Sequence, residues 1–305
     1  MCSPQVAAAV REAIRERGGQ MDRRRLLAGG AATLAGAALA PAVGTAQEAS
    51  PVATPATAGG GAPVVDVIYS SSVPISRIYD LTHVLSPDFP VFAGDDPMEI
   101  EQTKSIDQDG YLKYWLSLDE HTGTHVDAPA HFIPDGVTAE NIDPSFFFAP
   151  LCVIDISERA ANEPDAAVTD GDIAEWEAIH GTIPDRAFVA MCSGWESRLS
   201  DPASYVNLDA DGVQHYPGWS GQAVAFLTGE RTVVGIGVDT LSLDPGPSTD
   251  FLAHINALQA GLYGIENLAN LGAVPPSGTM LVVGAPKHRG ASGGPARVFA
   301  VEFGP

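Results

Sequence analysis

Apolar residues gather into four runs of strand length, at positions 151–156, 187–192, 233–238 and 280–284. They show little apolar–polar alternation, which predicts strands of a sheet covered on both faces. Helical patterns fall between and after them. Residues 169–180 predict a helix with Thr169 or Asp170 as its cap, and 220–228 a second one closed by Gly229. The stretch Thr249-Asp-Phe-Leu-Ala-His-Ile-Asn-Ala-Leu-Gln-Ala-Gly261 predicts a third. Spacings of three and four place Phe251, His254, Ile255 and Leu258 on neighbouring faces, so His254 points inward, and Gly261 ends the element. Upstream, 64–69 and 77–81 read as short strands, and Pro87, Pro90 and Pro97 mark a loop that carries Phe92 and Asp95. Residues 111–118 alternate in part and read as a strand. Strands alternating with helices, without an internal repeat, predict an α/β domain.

The 111–118 strand runs into His121-Thr-Gly-Thr-His-Val-Asp-Ala-Pro-Ala-His131. His121, His125, Asp127 and His131 all occupy odd positions, so extended backbone would send their side chains from one face. A straight strand would leave His121 and His125 roughly 13 Å apart, too far to share one ion, so the segment must bend. Thr122, Gly123 and Thr124 are poor helix formers and Pro129 breaks a helical turn, which leaves Gly123 as the bend. Imidazoles with a carboxylate suit Zn²⁺, Mn²⁺ or Fe²⁺ better than Ca²⁺. The plain alternative is a polar loop with coincidental histidines.

A second half of any metal site must come from later in the chain. His254 is one candidate. Glu266, at the end of the apolar run in Leu262-Tyr-Gly-Ile-Glu-Asn267, is the other, because a buried carboxylate needs a cation or dense hydrogen bonding. A core histidine and a paired or capping carboxylate fit the same spacings equally well.

Length and charge narrow the class. A chain of 305 residues holds one large domain or two small ones, and a formal net charge of −22 argues against nucleic acid and anionic membrane as partners. At the N-terminus, Asp22-Arg-Arg-Arg-Leu-Leu27 opens a stretch rich in Ala, Gly and Leu with no further charge until Glu48. This is the pattern of a twin-arginine export signal, spanning 1–46, with Gly44-Thr-Ala46 as a small-residue cleavage site and a periplasmic, cell-envelope or extracellular destination. So much Ala and Gly, with Pro41 inside, makes a poor membrane span, and none is expected after processing. Met21, directly before the arginines, is a plausible alternative start. Residues 47–62, dominated by Ala, Pro, Thr and Gly, read as a flexible tether, and 63–305 as the folded domain. Cys152 and Cys192 sit in apolar runs without CxxC spacing and read as buried free thiols.

Taken together, the histidine segment, Gly237-Val-Asp-Thr-Leu-Ser-Leu-Asp244, His254, Tyr263-Gly-Ile-Glu-Asn-Leu-Ala-Asn-Leu271 and Ser292-Gly-Gly-Pro-Ala-Arg297 resemble the metal-dependent cyclase family, which includes bacterial kynurenine formamidase and isatin hydrolase. The resemblance covers most of 77–302 and implies a single α/β domain of the swivelling β/β/α type, a mixed sheet with flanking helices. It implies that His121, His125 and Asp127 hold one metal, that Asp127 bridges to a second held with His254, and that Glu266 contacts both. The twelve-residue separation of His254 from Glu266 matches the family's histidine–glutamate pair. His131 resembles the family's catalytic proton-transfer residue, and a homo-oligomer with its active site near a subunit boundary is implied. Where kynurenine formamidases carry Val-Trp-Pro-Gly-Asp, this chain has Val91-Phe-Ala-Gly-Asp95, keeping an aromatic wall without the indole donor.

The implied chemistry is hydrolysis of an activated aromatic amide, either an N-formyl aryl amine of the formylkynurenine kind or a cyclic amide, using two Zn²⁺ or Mn²⁺ ions to activate water. Lactone hydrolysis and a non-catalytic exported metal-binding protein are the alternatives, and His131, which metal binding does not require, favours the enzyme. Phe92, Phe132, Tyr216 and Trp219 are candidates for the substrate's ring pocket and His215 for its mouth, although core packing is the commoner role for aromatic residues. Asp239 reads as a residue that orients a ligand histidine or caps a turn. His83, His180 and His288 read as structural or solvated. Ser193 lies in Cys-Ser-Gly-Trp, which lacks a nucleophile elbow, so a serine hydrolase is not expected.

Overall fold

The structure, a computed structural model, describes residues 74–304. The strand expected at 64–69, the export signal and the tether therefore lie outside the described residues. Thirteen strands occur within it: β1 (Ile75–Asp80), β2 (Glu99–Lys104), β3 (Lys113–Ser117), β4 (His125–Asp127), β5 (Phe148–Asp155), β6 (Ala167–Val168), β7 (Phe188–Cys192), β8 (Gly218–Trp219), β9 (Gly235–Val238), β10 (Tyr263–Glu266), β11 (Thr279–Gly284), β12 (Gly293–Pro295) and β13 (Arg297–Phe303). Each of the four apolar runs becomes a strand of one mixed nine-stranded sheet, ordered β1-β13-β11-β5-β7-β9-β10-β4-β12.

The centre of that sheet is parallel, from β5 through β7 and β9 to β10, and antiparallel strands flank it on both sides. Its side chains alternate between two cores, as strand geometry requires. Leu151, Val153, Phe188 and Ala190 face one, with Val126, Ile265, Leu281 and Val298. Cys152, Ile154, Val189 and Met191 face the other, covered by Ile173 and Trp176, Val224 and Leu227, and Ala253 and Ala257 from three helices. Both faces are thus dry, which is why these strands could do without polar alternation. Cys152 and Cys192 are buried and unbridged.

Those helices are Asp170–His180, Gly221–Glu230 and Leu252–Gln259. Thr169 caps the first in a reciprocal capping box with Asp172, and Ser220 caps the second. The second runs through Gly229 instead of closing there. It ends at Arg231, where the backbone turns extended and the guanidinium grips Glu177 through Nε (2.7 Å) and Nη2 (2.6 Å). Residues 101–115 belong to a compact unit of their own, in which β2 and β3 pair around the helical turn Ile106–Asp109. The expected 111–118 strand belongs to this hairpin, and Tyr111, Leu112, Tyr114, Trp115 and Leu116 are exposed. Among the described residues no helix is long and apolar enough to cross a membrane.

His83 follows β1, its backbone N–H donating to Thr124 Oγ1 (3.0 Å) and its ring packed beside Phe89. Burial lowers its pKa to about 4, the Asp80 charge opposing, so at neutral pH the ring is neutral. An unfolded histidine titrates near 6.5. Because the native pKa lies below the unfolded one, this contribution to stability is complete above pH 6.5 and is lost as pH falls toward 4. Denaturant midpoints measured from pH 8 down to pH 4 are expected to decline less steeply in His83→Phe than in the wild type. Parallel curves would contradict this role for His83.

Candidate active site

The histidine segment bends where the sequence requires. Gly123 has φ +70°, a left-handed conformation that glycine adopts without steric cost, and β4 starts two residues later. The segment turns again at Pro129, which opens the short 3₁₀ turn Pro129–His131 from its first position, where its missing N–H costs nothing. This second turn lays His131 against His121, with ring centroids 3.9 Å apart and planes 25° from parallel.

Strand pairing brings the distant halves together. β4 lies antiparallel between β10 and β12. Glu266 pairs directly with His125, while Asp127 sits between Gly264 and Gly293. Those two glycines leave space that a side chain would fill: a Cβ at Gly264 would stand 3.0 Å from Asp127 Oδ2, and one at Gly293 2.6 Å from the His121 ring. The Leu252–Gln259 helix supplies His254, which is 3% exposed. Asp127 is fully buried, with Oδ1 2.7 Å from His121 Nδ1 and 3.2 Å from His125 Nε2. Glu266 reaches His125 Nε2 (3.4 Å) and His254 Nε2 (3.1 Å), and its Oε1 accepts from the Leu243 N–H (2.9 Å).

The imidazoles are oriented from behind. His125 Nδ1 donates to the Gly123 carbonyl (2.8 Å), and His254 Nδ1 donates to Asp244 Oδ2 (2.6 Å). His121 Nε2 lies 2.9 Å from Ser292 Oγ. With the outer nitrogens of His125 and His254 committed as donors, their inner lone pairs converge on Asp127 and Glu266, so acceptors face acceptors. His125 Nε2 and Asp127 Oδ2 are both buried without a hydrogen-bond partner among the described residues. Such a centre demands positive charge between its members. Protons answer the same demand. Burial lowers the pKa of His125, but the Asp127 charge, with Glu266 beside it, raises it to about 9. Burial likewise opposes protonation of His254, yet Asp244 and Glu266 bring it to about 10. Burial works against ionisation of Asp127, but the His125 and His121 rings hold it well below the usual carboxylate range. Two groups, His121–Asp127–His131 and His125–Asp127–Glu266, have ligand atoms close enough to hold an ion, and they share Asp127. The donor set fits one or two divalent cations.

His131 is different in kind. Partial burial lowers its pKa to about 4, the Asp127 charge opposing and the neighbouring imidazoles reinforcing, so at neutral pH it is a free base. It borders a cavity of about 310 Å³ together with His121, His254 and Glu266. Phe92, Phe132, Leu241, Ser242 and Phe251 also wall it, as do Asp95 and Asp119. Phe132 stacks on His254 (4.6 Å, 26°), and Phe251 lies 5.4 Å from Phe132. Phe251 adopts φ 50°, an uncommon conformation for a bulky residue, at the start of the Leu252–Gln259 helix.

Every metal-ligand candidate and His131 thus converge, and Phe92 and Phe132 reach the cavity. Three substrate candidates, Trp219, His215 and Tyr216, do not. Trp219 is fully buried in the helix-covered core with its indole N–H on the Gly237 carbonyl (3.0 Å). His215 is held away from the cavity by Asp165 (2.8 Å) and Asp209 (3.3 Å). Tyr216 packs with Trp195, Tyr205 and Leu241 in a small core cluster. Asp239 caps a turn, accepting backbone N–H bonds from Ser193, Gly194 and Trp195, and the Ser193 hydroxyl donates to it (2.5 Å). The histidine-orienting carboxylate is Asp244, which sequence reasoning missed. It also accepts the N–H groups of Ala253 (2.7 Å) and His254 (3.1 Å), capping the helix start where Phe251 offers no side-chain cap. Asp250 stands nearer the helix start than Asp244 does, so position along the chain gave no signal for it. Asn267 was missed as well: it donates to the Gly123 carbonyl (3.1 Å), tying β10 to the bend.

A family model described as "Putative cyclase" matches residues 79–245. Isatin hydrolase from Roseibium aggregatum is 34% identical over 243 residues, which cover 74% of this chain and 91% of that protein. Kynurenine formamidase from Bacillus mycoides is 27% identical over 195 residues, covering 63% of this chain and 82% of its own length. Among solved structures, isatin hydrolase A from Labrenzia aggregata bound to benzyl benzoate superposes with a TM-score of 0.71 at 36% identity, covering 75% of this chain and 94% of that one. An isatin hydrolase bound to the product analogue thioisatinate gives the same TM-score at 31% identity, over 74% of this chain and 92% of its own.

Removing the carboxylate behind His254 tests how the centre is held. Asp244→Ala is expected to weaken Zn²⁺ or Mn²⁺ binding about 10- to 100-fold, measured by competition with a chromophoric chelator. Loss of the helix cap is expected to lower stability by about 1 kcal/mol, measured by denaturant unfolding. Metal affinity equal to the wild type's would contradict the role of Asp244.

Proposed function

The chain belongs to the "Putative cyclase" family, and from that premise we propose that it is a metal-dependent hydrolase of small aromatic amides, opening a cyclic amide of the isatin kind or cleaving an N-formyl aryl amine. One observation carries the reading: a buried set of imidazoles and carboxylates, poised for a cation, forms one wall of a cavity that Phe92, Phe132 and Phe251 also line. We assign His121, His125 and Asp127 to one ion and Asp127 with His254 to a second, with Glu266 touching both. Zn²⁺ or Mn²⁺ matches these ligands.

When bound, the divalent metal supplies a Lewis acid and lowers the pKa of water to near neutrality. The protein's own residues do the remaining work. Phe92, Phe132 and Phe251 hold the substrate ring and exclude bulk water, while Ser242 offers a hydroxyl at the same cavity. His131, neutral despite the nearby Asp127 charge, takes a proton from the attacking water and returns it to the departing nitrogen. The C–N bond breaks, leaving a carboxylate and a free aryl amine. Phe92, where kynurenine formamidases carry a tryptophan, and the similarity to isatin hydrolases favour the cyclic amide as the better substrate.

The twin-arginine pattern at 22–27 supports export of the folded enzyme, and the exposed apolar side chains at 111–116 support a homo-oligomer. Metal-loaded protein is expected to open isatin and, more slowly, to deformylate N-formylkynurenine, followed by absorbance. Chelation is expected to abolish turnover and re-addition of the metal to restore it. His131→Ala is expected to retain its metal and lose about 10²- to 10⁴-fold in kcat. Unchanged turnover would remove His131 as the proton carrier. Failure of the loaded wild type on amides, lactams and lactones alike would favour the non-catalytic metal-binding protein.

A further inference from the structure

Of the three imidazoles assigned above, His121 is the one whose outer nitrogen meets a hydroxyl. A carbonyl behind His125 and a carboxylate behind His254 act as acceptors and fix those rings. A serine hydroxyl can donate or accept, so Ser292 alone does not decide which His121 nitrogen carries the hydrogen. Glu120 removes that freedom. Its Oε1 accepts the Ser292 backbone N–H (3.1 Å) and also the Ser292 hydroxyl hydrogen. With its single hydrogen committed to Glu120, Ser292 Oγ presents a lone pair to His121 Nε2 at 2.9 Å, and Nε2 must donate. Nδ1 is left with its lone pair facing Asp127 Oδ1 at 2.7 Å.

The surrounding backbone holds this relay in place. The Ser292 carbonyl accepts from the Ala128 N–H (2.8 Å), Gly293 pairs with Asp127, and the His121 N–H donates to Asp119 Oδ1 (3.0 Å). We propose that Glu120 and Ser292 are positioning residues that lock His121 in the tautomer offering Nδ1 to the cation; Glu120 Oε1 lies 3.8 Å from His121 Nε2, beyond hydrogen-bond reach, and acts through the direction of the serine hydroxyl. This rests on the assignment of His121 as a metal ligand.

The test is a double-mutant cycle read by Mn²⁺ affinity, measured by electron paramagnetic resonance on the full-length protein, with folding verified by circular dichroism. Ser292→Ala and Glu120→Ala are each expected to weaken Mn²⁺ binding about 10- to 100-fold. The double variant is expected to be no weaker than Ser292→Ala, because both act through one hydroxyl. Ser292→Thr, which keeps the hydroxyl, is expected to stay within about threefold of the wild type, a retention that a purely steric role would not give. Wild-type affinity in Glu120→Ala, additive losses in the cycle, or a loss in Ser292→Thr as large as in Ser292→Ala would each overturn the proposal. A wild type that binds no Mn²⁺ would instead overturn the metal assignment beneath it.

Discussion

A carboxylate with no exposed surface governs this molecule. Asp127 lies on the central strand of three, flanked by two glycines, with three imidazoles from two distant parts of the chain pointing at it. Burying such a group unpaired is costly by several kcal/mol, so the surrounding structure must keep positive charge within reach. That need explains why β4, only three residues long, is paired on both sides. Each neighbour contributes part of the answer: β10 brings Glu266 opposite His125, and β12 provides backbone close enough for the His121 ring to pack.

The arrangement divides labour between strands and helix. Parallel strands with two dry faces form a rigid floor, and the ligands stand at its antiparallel margin, where short strands and bends allow side chains to converge. The Leu252–Gln259 helix approaches from the other core and delivers His254 with its own cap, Asp244, borrowed from the preceding loop. One carboxylate thereby sets the helix start and the ring orientation together.

Much of this was legible in the sequence. The apolar runs became strands because sheets covered on both faces need no polar alternation, and the inward turn of His254 followed from helical spacing. The need for a bend followed from distance, and its place at Gly123 from the residues around it. The resemblance linked His254 and Glu266 to the histidine segment, whereas spacing left them even with ordinary core roles. What stayed hidden depended on contacts between remote segments. Trp219 and His215 have the right chemistry for a substrate pocket, but an indole N–H satisfied by Gly237 and an imidazole held by two aspartates belong elsewhere. Asp239 and Asp244 stand five positions apart with equal sequence appeal, and only the direction each loop takes separates turn cap from histidine partner.

Phe251 carries a consequence for how substrate choice could evolve. It lines the cavity with φ 50°, and such a backbone costs a non-glycine residue about 1–3 kcal/mol. Trimming a pocket wall normally trades stability for room. At this residue the trade is softened, since glycine would relieve the torsional strain while removing the ring that lies 5.4 Å from that of Phe132. Position 251, one step in front of the helix that carries His254, is therefore a place where the cavity can widen with a gain in backbone comfort.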